Sequence, residues 1–257
     1  MSSRVIPVFL YHSVADEPSG DRDFAVSRAT FDAHAGAIKA SGRVSLRISD
    51  LAAGLRGERP LPERAAAVTF DDGCADNYDA IQSLVRRGLC CTAYIITGEV
   101  GAPDRLDDSR LLELADLPGV ELGAHTVSHR YLDELDAEEL ARETELSKVQ
   151  LEEIVQRGVG SFAYPHGAYD SRARQAVIDA GYRSAVAVKN AVSHSAEDPF
   201  AIARWTVMWG TPASRIAQVL EGENVPRAWS RERARTRAYR MVRRGRRRLA
   251  RVRSGER

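Results

Sequence analysis

Apolar positions along this chain fall into short runs rich in β-branched residues, and these alternate with longer segments whose apolar residues recur at helical spacing. The runs at 5–11, 44–48, 66–70, 91–95, 120–124, 161–163, 184–188 and 204–208 predict strands. Helices are predicted between them at 31–40, 49–56, 77–87, 108–115, 137–157, 171–180 and 212–220. Gly88, Gly158 and Gly181 stand just past three of these, where a helix end favours a left-handed residue. Strict alternation of strand and helix implies a parallel sheet with crossover helices. Seven or eight such units in one domain favour a closed barrel over an open doubly wound sheet. Either arrangement places ligands at the C-terminal ends of the strands.

Polar residues suited to chemistry cluster where that rule requires. His12 follows VFLY, Asp71 and Asp72 follow AVTF, His125 follows VELGA, and YPHG follows SFA. The stretch VTFDDGCAD (68–76) ends a strand-like run in two adjacent carboxylates. In ELGAHTVSH (121–129) two imidazoles stand four residues apart and can face one ion if the segment turns helically. A carboxylate with two neutral imidazoles suits a divalent cation and leaves positions open, as a catalytic metal requires. Zinc is the first choice, and cobalt, nickel or iron accept the same donors. One of the paired acids suffices for the ion. The other can then act as general base on a water that the metal acidifies.

TFDDG, HTVSH and FAYPHG, in this order, resemble the polysaccharide deacetylase family with the NodB homology domain, whose members remove acetyl groups from N-acetylated sugars. The resemblance runs from VFLYHSV to RWTVMW. It implies a distorted (β/α) barrel of about seven parallel strands, with Asp71 as general base and Asp72, His125 and His129 as metal ligands. It also implies an oxyanion-binding backbone N–H at His166 in the loop Tyr164–Pro165–His166–Gly167, which is expected to contact substrate. Many relatives carry an Arg two residues before the motif Pro to orient the base. Ala163 stands there, as in the FAYP-type members, and Arg204 is a candidate substitute. No LxH motif supplies the general acid. His12, at the end of the first strand, is the best placed replacement, ahead of His166 and His194. Tyr164, Tyr169, Trp205 and Trp209 are candidates to stack on sugar rings. The competing readings are a hydrolase of another small acyl amide and a catalytically silent carbohydrate-binding or assembly protein, which would be expected to lose a ligand or Asp71.

Composition adds a boundary. The formal net charge is only +1. Residues 230–257 nonetheless hold 13 Arg against 2 Glu, a net of +11, which leaves −10 for residues 1–229. The chain therefore reads as a catalytic domain at 1–229 and a basic tail at 230–257. On a helix, Met241, Gly245, Leu249 and Val252 would form an apolar stripe within that Arg-rich surface, which suits an anionic membrane surface. Nucleic acid ranks lower as a partner because the body has no matching basic face or reading motif. The first apolar run, VIPVFLY, is too short for a membrane span and lacks the features of a signal peptide, so the body is expected to be cytoplasmic. Cys74, Cys90 and Cys91 fit a reduced compartment, with Cys74 a small buried thiol beside the acids.

Overall fold

The computed structural model describes residues 4–18 and 20–229, together with Val242. Apart from Val242, the basic tail and the membrane contact expected of it lie outside the described residues. The strands are β1 (Val5–Ile6), β2 (Val8–Tyr11), β3 (Val44–Leu46), β4 (Ala65–Phe70), β5 (Cys91–Ile95), β6 (Val120–Ala124), β7 (Ser161–Ala163), β8 (Ser184–Val188), β9 (Ser193–His194) and β10 (Ile202–Thr206). The α-helices are α1 (Arg28–Ala40), α2 (Ile48–Leu55), α3 (Asn77–Arg86), α4 (Asp108–Asp116), α5 (Ala137–Ala141), α6 (Ser147–Val155), α7 (Ser171–Asp179) and α8 (Ala213–Leu220).

Strands β4, β5, β6, β7, β8, β10 and β2 are hydrogen-bonded in that order, and β2 pairs again with β4. Seven parallel strands thus close into a barrel, as the alternating pattern predicts. The distortion has an identifiable cause. β3 pairs with the first half of β4, Val44 opposite Ala65 and Leu46 opposite Ala67. β5 pairs with the second half at Thr69 and Phe70. A short strand is therefore wedged into the N-terminal end of the barrel.

Side chains alternate along each strand between two cores. Ala66, Val68 and Phe70 of β4 belong to the large apolar layer beneath the helices. Ala65 and Ala67 join Ile6, Val8, Val186 and Ile202 in a smaller interior cluster. Helix α2 plugs the N-terminal end of that interior with Ile48, Leu51 and Ala52. Its N-cap residue, Arg47, makes no side-chain cap. The barrel wall supplies the acceptors instead: Ile48 N donates to Thr92 Oγ1 at 2.9 Å and Ser49 N to Glu121 Oε2 at 3.0 Å. Thr92 and Ser161 hydroxyls donate to the same carboxylate at 2.8 and 2.6 Å. A carboxylate at a helix N-terminus satisfies orphan amides and opposes the positive end of the dipole.

Three sequence expectations change. The strand expected at 5–11 is broken at Pro7, which has no N–H for the ladder. The residues before it leave the barrel, and β1 pairs antiparallel with β9, Val5 opposite His194. The helix expected at 137–157 is interrupted by one π turn, Arg142–Leu146, and ends at left-handed Gln156 rather than at Gly158. The last strand lies two residues earlier than expected, so Trp205 is in β10 and Trp209 is in the turn beyond it. Among the described residues, no helix is long and apolar enough to cross a membrane.

Candidate active site

A cleft of about 650 Å³ opens at the C-terminal ends of the barrel strands, lined among others by His12, Asp71, Asp72, His125, His129 and His166. Adjacent residues on a strand face opposite ways, so two neighbouring carboxylates reach one cleft only if the backbone breaks its alternation. The break follows β4: Asp72 has φ 70° and Gly73 φ 67°. Asp71 continues the inward series of Ala65, Ala67 and Thr69, and the left-handed turn brings Asp72 to the same wall.

HTVSH does not take the helical turn that would let its imidazoles face one ion, and another turn brings them together. His125 is the first residue after β6, and left-handed conformations at Thr126 (φ 67°) and His129 (φ 55°) fold the segment back. The turn is held from outside. Val127 N and Ser128 N donate to Glu143 Oε2 at 2.9 and 3.0 Å, and Ser128 Oγ donates to the other carboxylate oxygen. Glu143 lies in the π turn between α5 and α6, whose departure from helical spacing belongs with this contact. His129 N closes the turn on Thr126 Oγ1 at 2.9 Å.

Asp72 Oδ1 is buried without a hydrogen-bond partner and lies 3.6 Å from His125 Nε2 and 3.5 Å from His129 Nε2. These separations exceed hydrogen-bond lengths. His125 Nδ1 donates to Ala163 O at 2.8 Å, leaving its Nε2 lone pair for the cleft. Burial pushes the His125 imidazole down to about 3, and burial lowers His129 as well, so neutral rings face the carboxylate. Three ligand atoms within 4.8 Å of one another, none with a proton between them, fit a divalent cation. This is the one such cluster among the described residues.

Asp71 has a different partner. Arg204, fully buried in β10, donates Nη1 to Asp71 Oδ1 at 2.6 Å and Nη2 to Oδ2 at 2.7 Å. Burial alone would raise the Asp71 carboxyl, but the Arg204 guanidinium, with His125 and His12 beside it, holds it well below the usual carboxylate range. An Arg on β10 thus stands in the relation to Asp71 that Ala163 cannot.

The other sequence candidates separate clearly. His12 follows β2, lines the cleft and has a buried Nδ1 with no partner. Its backbone is clamped by residues the motifs did not single out. Asn77 Nδ2 donates to His12 O at 2.6 Å, while Ser13 Oγ and Val14 N donate to Asp76 at 2.6 and 3.0 Å. His166 (φ 57°) lines the cleft, stacks on Tyr131 at 3.9 Å and lies 4.4 Å from the His129 ring. The substrate contact expected of Tyr164 is corrected: it is fully buried, donates its hydroxyl to Phe200 O and stacks on Tyr169, because alternation after β7 turns it to the helix layer. Pro165 is also buried, and neither Pro165 nor Gly167 lines the cleft. Gly167 shapes the loop: at φ +67°, a Cβ there would lie 2.5 Å from Val188 N. His194 is in β9 and outside the cleft, and Trp205 packs edge-on against Phe9. Burial raises the Cys74 thiol to about 12, which favours its protonated form beside Asp72, and Cys74 is not part of the Asp72, His125 and His129 cluster.

A closed parallel barrel carries this acid and histidine set at its strand ends, and residues 58–185 match the model of the polysaccharide deacetylase family. Among curated relatives it is 25% identical over 217 residues to "Putative polysaccharide deacetylase YxkH" of Bacillus subtilis (strain 168), covering 84% of this chain and 76% of that protein. Among solved structures, the Streptococcus pyogenes deacetylase PplD in complex with acetate superposes with a TM-score of 0.78 at 21% identity, over 85% of this chain and 99% of that one. BC0361, a polysaccharide deacetylase from Bacillus cereus, gives a TM-score of 0.76 at 24% identity, over 85% and 69% of the two chains. At these identities the structural likenesses establish the fold.

Proposed function

We propose that this chain is a metal-dependent hydrolase that removes N-acetyl groups from N-acetylated sugar residues of a polysaccharide or lipid-linked glycan, within the subgroup whose third motif reads FAYP. The observation that carries this reading is the division of labour between the adjacent acids. Asp71 is clamped in its ionised form by Arg204, and Asp72 converges with His125 and His129 on one point. A divalent ion held by Asp72, His125 and His129 would polarise the acetamide carbonyl and acidify water. Zinc matches the donor set, as do cobalt, nickel and iron.

The chain's own residues supply the remaining chemistry. Asp71, held in its ionised form by Arg204, accepts the proton of the attacking water, and the two-pronged Arg204 contact fixes its position. Its strength lies in position, since its affinity for a proton is low. His12 donates a proton to the leaving amine; the buried, unpartnered Nδ1 in the cleft wall and the Asp76–Asn77 clamp on its loop support that role. The His166 backbone N–H is assigned to the oxyanion, supported by its place in the cleft wall and by the left-handed turn at Pro165–Gly167.

Acetate release from a panel of N-acetylated sugars, with the metal-stripped chain reloaded with single metals, tests the assignment. Asp71→Asn should retain the metal and lose about 10²-fold in turnover. Asp72→Ala, His125→Ala and His129→Ala should each lose metal as well as activity. Full metal occupancy in all three after dialysis, or near-normal turnover in Asp71→Asn, would contradict it.

A further inference from the structure

Large apolar side chains exposed among the described residues mostly stand singly: Val44 on β3, Leu112 on α4 and Val149 on α6. Phe24 and Met208, 39% and 37% exposed, are different because they stand on two loops joined to each other, and Phe24 lines the cleft. Phe24 ends the 3₁₀ turn Arg22–Phe24, lines the cleft, and has its ring 5.1 Å from that of His12. Met208 opens the turn after β10, and Trp209 beside it is half-buried.

These loops are fastened to each other and to the body. Trp209 N donates to Asp23 O at 2.8 Å, and the Arg22 guanidinium lies 4.3 Å over the Trp209 ring. Met208 N donates to Thr211 Oγ1 at 3.1 Å. His34, buried in α1, binds Thr211 O through Nε2 at 2.9 Å and takes the Tyr11 hydroxyl on Nδ1 at 3.2 Å. The two loops are therefore pinned while they present apolar surface to water. Apolar surface held in place while facing water is what a preorganised stacking surface requires.

We propose that Phe24, Met208 and Trp209 form a subsite for a pyranose ring of the glycan chain next to the residue being deacetylated. This rests on the function proposed above. The apolar face of a pyranose suits an aromatic and thioether surface, and Phe24 lines the cleft that holds Asp71.

Calorimetry on the full-length, zinc-loaded chain carrying Asp71→Asn, so that acetyl groups stay in place, tests the subsite with β-linked N-acetylglucosamine oligomers of one to six residues. The hexamer should bind more tightly than the monomer. Phe24→Ala and Met208→Ala, truncations of exposed side chains, should each weaken the hexamer, Phe24→Ala by about five- to tenfold, and shift the monomer less than twofold. Equal affinity for monomer and hexamer in the parent overturns the subsite, and so does equal loss for both ligands in the variants. Length-dependent binding that falls in the variants, with no acetate released by the unsubstituted chain, would sustain the subsite and refute the deacetylase reading. Acetate release with no dependence on length would do the reverse.

Discussion

Replacing Arg204 tests how the protein keeps a carboxylate ionised inside a barrel. The Arg204 side chain is fully buried, Asp71 is 3% exposed, and two hydrogen bonds of 2.6 and 2.7 Å join them. Arg204→Met fills similar volume and removes the charge, which leaves Asp71 buried and unpaired at a cost of about 3–5 kcal/mol. Against a typical total of about 5–15 kcal/mol that is a large fraction of the stability. Its sign with pH is diagnostic. In the native chain Asp71 is depressed, so the pair's contribution is fully present above the ordinary carboxylate range and is lost only as pH falls through the folded value beneath it. Without Arg204, burial raises the Asp71 carboxyl, and the unfolded chain then releases its proton first as pH rises. The deficit should therefore widen from pH 4 to pH 7. Arg204→Lys keeps a charge but loses the fork, costing about 1–2 kcal/mol and lowering turnover with an acid limb moved to higher pH. Denaturant unfolding across that pH range, with kcat/KM profiles, measures both effects. A deficit of less than about 1 kcal/mol at pH 7, or one constant with pH, would refute the argument from the buried charge.

Glu121→Ala removes the acceptor shared by Ser49 N, Thr92 and Ser161, and should cost about 2–3 kcal/mol in chemical unfolding while kcat changes little, since α2 plugs the end opposite the cleft. Gly167→Ala puts a Cβ against the backbone of Val188 at positive φ, and should lower Tm through a loss of about 1–3 kcal/mol together with activity. Burial lowers the His34 imidazole, so its neutral form contributes stability above the ordinary histidine range that fades as pH falls below it. His34→Asn should flatten that part of the stability curve, and an unchanged slope between pH 5 and pH 7 would show that another group sets it.

The chain of strand-end motifs was legible because each carries its own local signal. An apolar run that stops at DDG, at HTVSH or at YPHG marks a strand terminus, and parallel closure then brings those termini to one rim. Periodicity gave eight strand runs, and the resemblance implied about seven; closure leaves β3, from the run at 44–48, outside the seven. What each residue does at the rim was only partly readable. Spacing suggested a helical turn for His125 and His129, whereas left-handed residues and Glu143, from a π turn no apolar pattern announces, set their geometry.

Tertiary structure alone decided three matters. Tyr164 faces the helix layer rather than substrate because strand alternation continues past β7, which its place in a motif does not reveal. Asp72 joins Asp71 at one wall because the backbone turns left-handed there, a conformation usually signalled by glycine and here adopted by an aspartate. Arg204, in the sequence a candidate substitute for the motif Arg, became the partner of Asp71 across 133 residues because β10 lies beside β2, and β2 beside β4. Sequence supplies periodicity, turn chemistry and the residues at strand ends, since those depend on neighbours in the chain. Which buried charge meets which is set by barrel closure and strand register, and those depend on contacts between distant segments.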